Sequence, residues 1–332
     1  MDQLTATLKK IEKQNYRAYQ QIKGQYDFGD YTFFIDYVQA DPYASASRVR
    51  AVRPWSLTGL QWLRETSDAY QVAARDFIAR SFAEFAKQEN SVSIALTGQT
   101  VMDSTSVLFT NEGIELRFRV NLPAEGRSVL GKKTNNILTF HLPKFIRRAT
   151  LERELDKEAL VHHCQIVEDQ EFIRSKLDEY NLLAFVGNGS VLPRVAGNCD
   201  LPMKDAVALT APESLQVTIA TPNQGDITGL GIRKGITLIV GGGFHGKSTL
   251  LNAIERSIYN HIPGDGRERI VTNLNAMKIR AEDGRCVHSL NLSNYINHLP
   301  MQRDTEDFTT QDASGSTSQA AWLQESIEAG VQ

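Results

Sequence analysis

The sequence predicts two domains in a chain of 332 residues: an α+β domain over 1–165, then an α/β domain over 166–332 that joins a parallel core to a small antiparallel sheet. Three observations carry the second assignment. Ile236-Thr237-Leu238-Ile239-Val240 is a short, β-branched apolar run of the kind a buried strand needs. A glycine-rich turn follows it directly, and Leu250, Leu251, Ile254 and Ile258 then recur at helical spacing. Ahead of the run, Leu215–Ile219 alternates like a strand, Pro222-Asn223-Gln224-Gly225 turns, and Ile227–Ile232 returns. Such a pair suits a small antiparallel sheet beside a helix-covered core.

The first half reads as mixed elements. Residues 4–22 form an amphipathic helical pattern with Leu4, Leu8, Ile11, Tyr19 and Ile22 on one face, and Gly24 ends it. Residues 31–38 read as a strand, followed by a polar, turn-prone stretch. Residues 57–87 are again helical in pattern. Val107–Thr110 and Ile114–Val120 flank Asn111-Glu112-Gly113 as a hairpin, whose second limb alternates apolar residues with Glu115, Arg117 and Arg119. The charged stretch 151–158 reads as a helix and a domain boundary, 171–183 as another helix, and Ala184-Phe185-Val186 as a strand.

Composition narrows the class. Hydrophobic residues make up 41% and charged residues 23%, as in an ordinary globular protein. No apolar run approaches bilayer length, and Met1-Asp2-Gln3-Leu4 does not open a signal peptide. The three cysteines, Cys164, Cys199 and Cys286, are far apart and odd in number, which suits free thiols; the cytoplasm is the expected compartment. A net charge of −3 gives no bulk signal for nucleic acid. A local basic stretch, Arg127, Lys132, Lys133, Lys144, Arg147 and Arg148, offers an RNA surface or simply a solvated one.

The turn itself carries the chemistry. Gly241-Gly242-Gly243-Phe244-His245-Gly246-Lys247-Ser248-Thr249 contains the complete spacing G-x-x-x-x-G-K-[ST] between a strand pattern and a helix pattern. Glycines let backbone N–H groups curl around an anion, and the helix N-terminus adds unpaired donors and a positive dipole end. Lys247 would reach the β- and γ-phosphates of a nucleoside triphosphate, and Ser248 would give its hydroxyl to Mg²⁺. His245 could touch a phosphate oxygen, or merely shape the loop. Near the end, Asp312–Ala321 is a Ser/Gly turn running into a helical pattern, so Ser314, Gly315 and Ser316 make a second helix N-terminus suited to an anion.

At this point the chain resembles the predicted ABC-class ATPase family of bacteria and scattered eukaryotes, which includes a kinetoplastid mitochondrial RNA-editing-associated ATPase. The matching stretches are Ile35–Pro42, Gly98-Gln99 with Thr105-Ser106-Val107, Leu122–Arg127, Ala184-Phe185-Val186 with Leu192-Pro193-Arg194, Gly241–Leu251, Tyr259–Glu268, Lys278–Arg285 and Ala313–Ala320. They run through nearly the whole chain. The resemblance implies Mg-ATP as ligand, and a homodimer in which ATP lies between the Lys247 loop of one subunit and the Ser314-Gly315-Ser316 turn of the other. That turn departs from the Leu-Ser-Gly-Gly-Gln of ABC transporters.

A catalytically complete domain of this type also needs an apolar strand ending in Asp and then a Glu, to position Mg²⁺ and orient the attacking water. No such run exists between Lys247 and Gln332, so the sequence supplies no catalytic residue of that kind. The C-terminal part of the core is expected to be missing, either because the chain is a piece of a longer protein or because it is a natural short form. The exposed sheet edges that the omission implies favour the first. ATP hydrolysis is accordingly expected of the longer protein, and the alternative is a non-catalytic, nucleotide-dependent module for RNA or protein. Val161-His162-His163-Cys164 has no second ligand pair at zinc spacing and reads as packing or surface. Arg267 could lie near a phosphate or in a tight surface turn. For the adenine, no aromatic lies between Leu215 and Val240, so Phe185 or an N-terminal element is the expected platform.

Overall fold

The computed structural model describes residues 1–299 and 304–331. The first predicted helix divides. Helix α1 spans Asp2–Lys10; Lys13 then takes φ 60°, and the Asn15 side chain accepts from the Arg17 N–H to start a 3₁₀ turn over Tyr16–Ile22. The apolar face survives the break, since Leu4, Leu8, Ile11, Tyr19 and Ile22 are all buried.

Strands β1 (Gly24–Asp27), β2 (Thr32–Tyr37) and β3 (Ser47–Pro54) follow. Gly59, at φ +76°, and two short 3₁₀ turns occupy the start of the next helical pattern, so α2 is confined to Asp68–Ala86 with Ser67 capping it. Next come β4 (Val92–Ser93), β5 (Thr100–Val101), β6 (Val107–Phe109), β7 (Gly113–Val120), β8 (Ala124–Glu125) and β9 (Ser128–Val129). A six-stranded sheet has the order β1-β2-β3-β7-β4, with β6 also on β7. Gly113 is required where β3 and β7 start to pair, because a Cβ there would lie 1.8 Å from the Arg53 carbonyl oxygen. Helices α3 (Gly131–Asn136) and α4 (Leu142–Thr150), joined by a π-helical turn, complete this half. α2 and α4 cover one sheet face, where Phe82 meets Phe118 at 4.7 Å between ring centroids.

Helix α5 runs unbroken over Lys157–Lys176, with Asp156 accepting from the Ala159 N–H as its cap. The predicted helices at 151–158 and 171–183 are thus replaced by one, because that cap sits between charged residues that periodicity alone could not divide. Leu160, Cys164 and Val167 of α5 join the core of the first half, while Ile173 joins a second core with Leu182, Phe185, Ile219, Ile227 and Val271.

The remaining elements are β10 (Leu182–Gly187), β11 (Arg194–Ala196), β12 (Cys199–Pro202), β13 (Gln216–Thr221), β14 (Gly225–Arg233), α6 (Lys247–Arg256), β15 (Asn260–His261), β16 (Ile270–Thr272), β17 (Arg285–Leu290), β18 (Phe308–Ala313) and α7 (Gly315–Glu328). A four-stranded sheet takes the order β13-β14-β10-β16, and β15 pairs with β5 across the two halves. The parallel core expected from sequence is not formed here: among the described residues every strand pairing is antiparallel. Ile236–Val240 is not a strand, and Ile236 and Leu238 stand in the open at 105% and 82% exposure. A strand exists through its partners, and among the described residues none lies beside this run.

Candidate nucleotide site

The glycine turn closes as a loop at the head of α6. Gly246, at φ +80°, occupies the N-cap position, a conformation glycine adopts without a steric penalty. Phe244 takes φ +62° with its ring in solvent, a local strain of about 1 kcal/mol. The Lys247 ammonium donates to the carbonyl oxygens of Gly241 at 2.7 Å and Gly242 at 2.5 Å, bridging the loop's two ends. His245 has a shaping part: its imidazole packs so close to Gly242 that a Cβ there would lie 3.2 Å from the ring. The N–H groups of Lys247, Ser248 and Thr249 stand in the first turn of α6, where no intrahelical acceptor exists. Together they face a cleft of about 930 Å³, whose other wall is Leu192, Pro193, Met203 and Val207–Thr210.

α6 is held from behind. Ala253 packs with Ala184, Val186, Ile232 and Ile270, and the Thr272 hydroxyl donates to the Ile254 carbonyl at 2.7 Å. Arg174 of α5 donates to the carbonyls of Ser257 and Thr272 and to Asn260 Oδ1 at 2.7 Å. Burial lowers the pKa of the Arg174 guanidinium, and nearby Glu171 acts against that.

The stretch after α6 packs against the chain around β11. Arg194 donates to the Asp265 carboxylate at 2.6 Å and to its carbonyl at 2.8 Å, and His261 Nδ1 lies 2.8 Å from the same carboxylate. Burial pushes the Asp265 carboxyl up, but His261 and Arg194 outweigh it and hold it below its ordinary value. Arg267 is neither an exposed turn residue nor free for a phosphate. It is buried, donates to the Leu192 carbonyl at 2.6 Å, and its pKa is lowered to about 10 by burial and by neighbouring Arg194. Phe185 is fully buried in the second core, so the expectation that it stacks on adenine fails.

Ser314 occupies the N-cap position of α7, its hydroxyl 3.0 Å from that of Thr317 and 3.4 Å from that of Ser316. Gly315 is tight against Asp283, where a Cβ would come 3.1 Å from Oδ1. This turn opens on its own cleft of about 460 Å³, and no residue lines both it and the Lys247 cleft. Within one chain, then, the two predicted anion sites stay apart.

Other expectations find places too. His163 lies 3.1 Å from Asp76 and against Phe77, and Cys164 is in the core with its thiol pKa pushed up by burial; the three cysteines are free. Among the described residues no group of three or more His, Cys, Asp or Glu could hold a metal ion. The basic stretch is dispersed over the β8–β9 turn, α3 and α4, with Lys144 over Phe140 and Arg148 over Phe85. What the sequence reading missed lies on the outer face of the six-stranded sheet. There the register sets Arg48 opposite Arg119 and Arg50 opposite Arg117, around a cleft of about 740 Å³. Arg50 pairs with Asp36 and Glu115, whereas among the described residues neither Arg48 nor Arg119 has a carboxylate partner.

Comparison with known proteins decides the lineage. Residues 156–332 match the P-loop domain model of the ABC ATPases, and residues 1–153 match the model described as the N-terminal region of ATPases of the ABC class. The chain belongs to the ABC-class ATPase family. It is also similar to the uncharacterized protein MJ1628 of Methanocaldococcus jannaschii, at 32% identity over 158 residues. That match takes in 44% of this chain and spans only 33% of the relative's length. In this family member no helix among the described residues is long and apolar enough to cross a membrane.

Proposed function

We propose that the chain binds Mg-ATP at Gly241–Thr249, and that two copies close around it with the Ser314-Gly315-Ser316 turn of each facing the loop of the other. The observation that carries the first part is Lys247: an ammonium bridging the loop ends, at the head of a helix with unpaired N–H donors, on a cleft large enough for a nucleotide. Bound phosphate would draw the ammonium from the two carbonyls onto its β- and γ-oxygens. Ser248, next in the same turn and exposed, is the Mg²⁺ ligand in this reading. The separation of the two anion sites within one chain is what a two-copy sandwich requires.

Hydrolysis needs a further carboxylate. Among the described residues, none of the strands after α6 ends in the Asp-Glu pair that would position Mg²⁺ and the attacking water. The proposal for these residues is binding and closure; turnover to ADP and phosphate is assigned to a protein that carries that pair as well.

Titration calorimetry with Mg-ATP tests the binding. The expected result is saturable binding in the parent and at least a tenfold loss in Lys247→Ala, about the effect of removing one charge-assisted contact to phosphate. Equal affinity in the two would sink the reading. Sedimentation with and without Mg-ATP tests closure, with a dimer expected only in its presence. A second reading, nucleotide-dependent binding of RNA, is favoured by the arginine pairs on the sheet face.

A further inference from the structure

We propose that the nucleobase rests on an aliphatic wall built by the chain on either side of the β11–β12 hairpin, with Met203 and Val207 as its central contacts. The inference rests on the reading of Gly241–Thr249 as the triphosphate site. A base must lie on some wall of the cleft its phosphates enter, and the wall facing the loop in the 930 Å³ cleft is almost wholly apolar. Met203 is 42% exposed and Val207 is 92% exposed. Exposed apolar side chains gathered opposite a phosphate loop mark a ligand surface better than they suit solvent.

The wall is held in place. Arg194, at the start of β11, is fixed by Asp265, and the Met203 N–H donates to the Pro193 carbonyl at 3.1 Å, closing the hairpin's base. Leu209 exchanges backbone hydrogen bonds with Ser190 and Gly189, which anchors the far end. Between these two anchors Val207 stands out over the cleft. Among the described residues Phe244 is the only Phe, Tyr or Trp lining it, but it belongs to the phosphate loop itself, between Gly243 and His245, and so lies at the phosphate end.

A consequence follows for selectivity. Aliphatic side chains contact the face of a ring without reading its edge, and such contacts discriminate weakly between isosteres. ATP and GTP should therefore bind within about tenfold of each other.

The test is calorimetry with Mg-ATP, Mg-GTP and inorganic tripolyphosphate on the parent, Met203→Asn, Val207→Asn, Met203→Leu, Phe244→Ala and Lys247→Ala. Both asparagine variants, which add no charge to the cleft, should weaken ATP and GTP about tenfold, leave tripolyphosphate unchanged, and keep the parent's melting temperature, since both side chains are exposed. Met203→Leu should keep ATP affinity. Unchanged ATP affinity in both asparagine variants would overturn the proposal, as would an equal loss for tripolyphosphate, a hundredfold preference for ATP over GTP, or base-dependent binding lost only in Phe244→Ala. If Lys247→Ala leaves all three ligands bound normally, it is the phosphate-loop reading that fails, and that result is distinct from the others.

Discussion

Arg194 grips Asp265 twice, through the carboxylate at 2.6 Å and through the backbone carbonyl at 2.8 Å, while the Asp265 side chain is wholly buried. The two residues come from β11 and from the turn after β15, so the pair ties the β11–β12 hairpin to that turn. The buried Arg267 clamp on Leu192 lies alongside.

Removing one partner of a buried ion pair strands the other. Asp265→Asn should cost about 3 kcal/mol of stability at neutral pH, because Arg194 is left largely buried without its counter-charge. The pH dependence has a definite sign. The folded-state pKa of Asp265 lies below its unfolded value, so its contribution is complete above the unfolded value, near pH 4, and is lost as pH falls through the folded one. Urea unfolding across pH 2–7 is the measurement; the parent should lose stability on that acid limb and Asp265→Asn should lose less. Matching acid limbs would show that Asp265 is not among the groups responsible.

A second buried carboxylate organises a turn. Asp169 of α5 accepts from the Asn223 N–H at 3.0 Å and side-chain amide at 2.9 Å, and from the Gln224 N–H at 3.0 Å and side-chain amide at 3.1 Å. Those residues connect β13 to β14. Asp169→Ala leaves these donors without their acceptor, for a loss of about 3 kcal/mol. Hydrogen exchange should localise the damage to the ends of β13 and β14 beside the turn; uniform loosening of the chain would contradict this role.

Local signals explain what was legible in the sequence. The β6–β7 and β13–β14 hairpins and the loop–helix junction at Gly246-Lys247 are set by neighbours a few residues away, so period and turn chemistry found them. Ile236–Val240 shows the limit: β-branching states a preference, but pairing partners decide, and among the described residues it has none. Arg267 read as near a phosphate or in a tight surface turn because the carbonyl that holds it, that of Leu192, lies some seventy-five residues earlier in the chain. For the same reason Phe185 passed as a candidate base platform until the four-stranded sheet enclosed it.

The arginine pairs need that same kind of information. Alternation along β7 turns Arg117 and Arg119 outward, but only the register with β3 brings them opposite Arg50 and Arg48. Like charges directly opposite one another destabilise a sheet by up to about 1 kcal/mol; Asp36 and Glu115 offset that at Arg50 and Arg117, but among the described residues no carboxylate offsets it at Arg48 and Arg119. Arg48 lies over Tyr37 at 5.1 Å and Arg50 over Phe34 at 3.8 Å, which adds ring faces to the charge. Cations interleaved with aromatics on an open sheet suit single-stranded nucleic acid, whose phosphates and bases engage them in turn. Arg119→Glu should therefore stabilise the free protein by about 0.5 kcal/mol while weakening its binding to an oligouridylate. It should also reduce the slope of log affinity against log salt by about 0.7 for each phosphate contact removed. Lys132→Glu with Lys133→Glu serves as the comparison, since those side chains lie on α3. If only the lysine pair affects RNA binding, the surface is the dispersed basic stretch; if the parent binds no RNA at low salt with Mg-ATP present, this second reading falls.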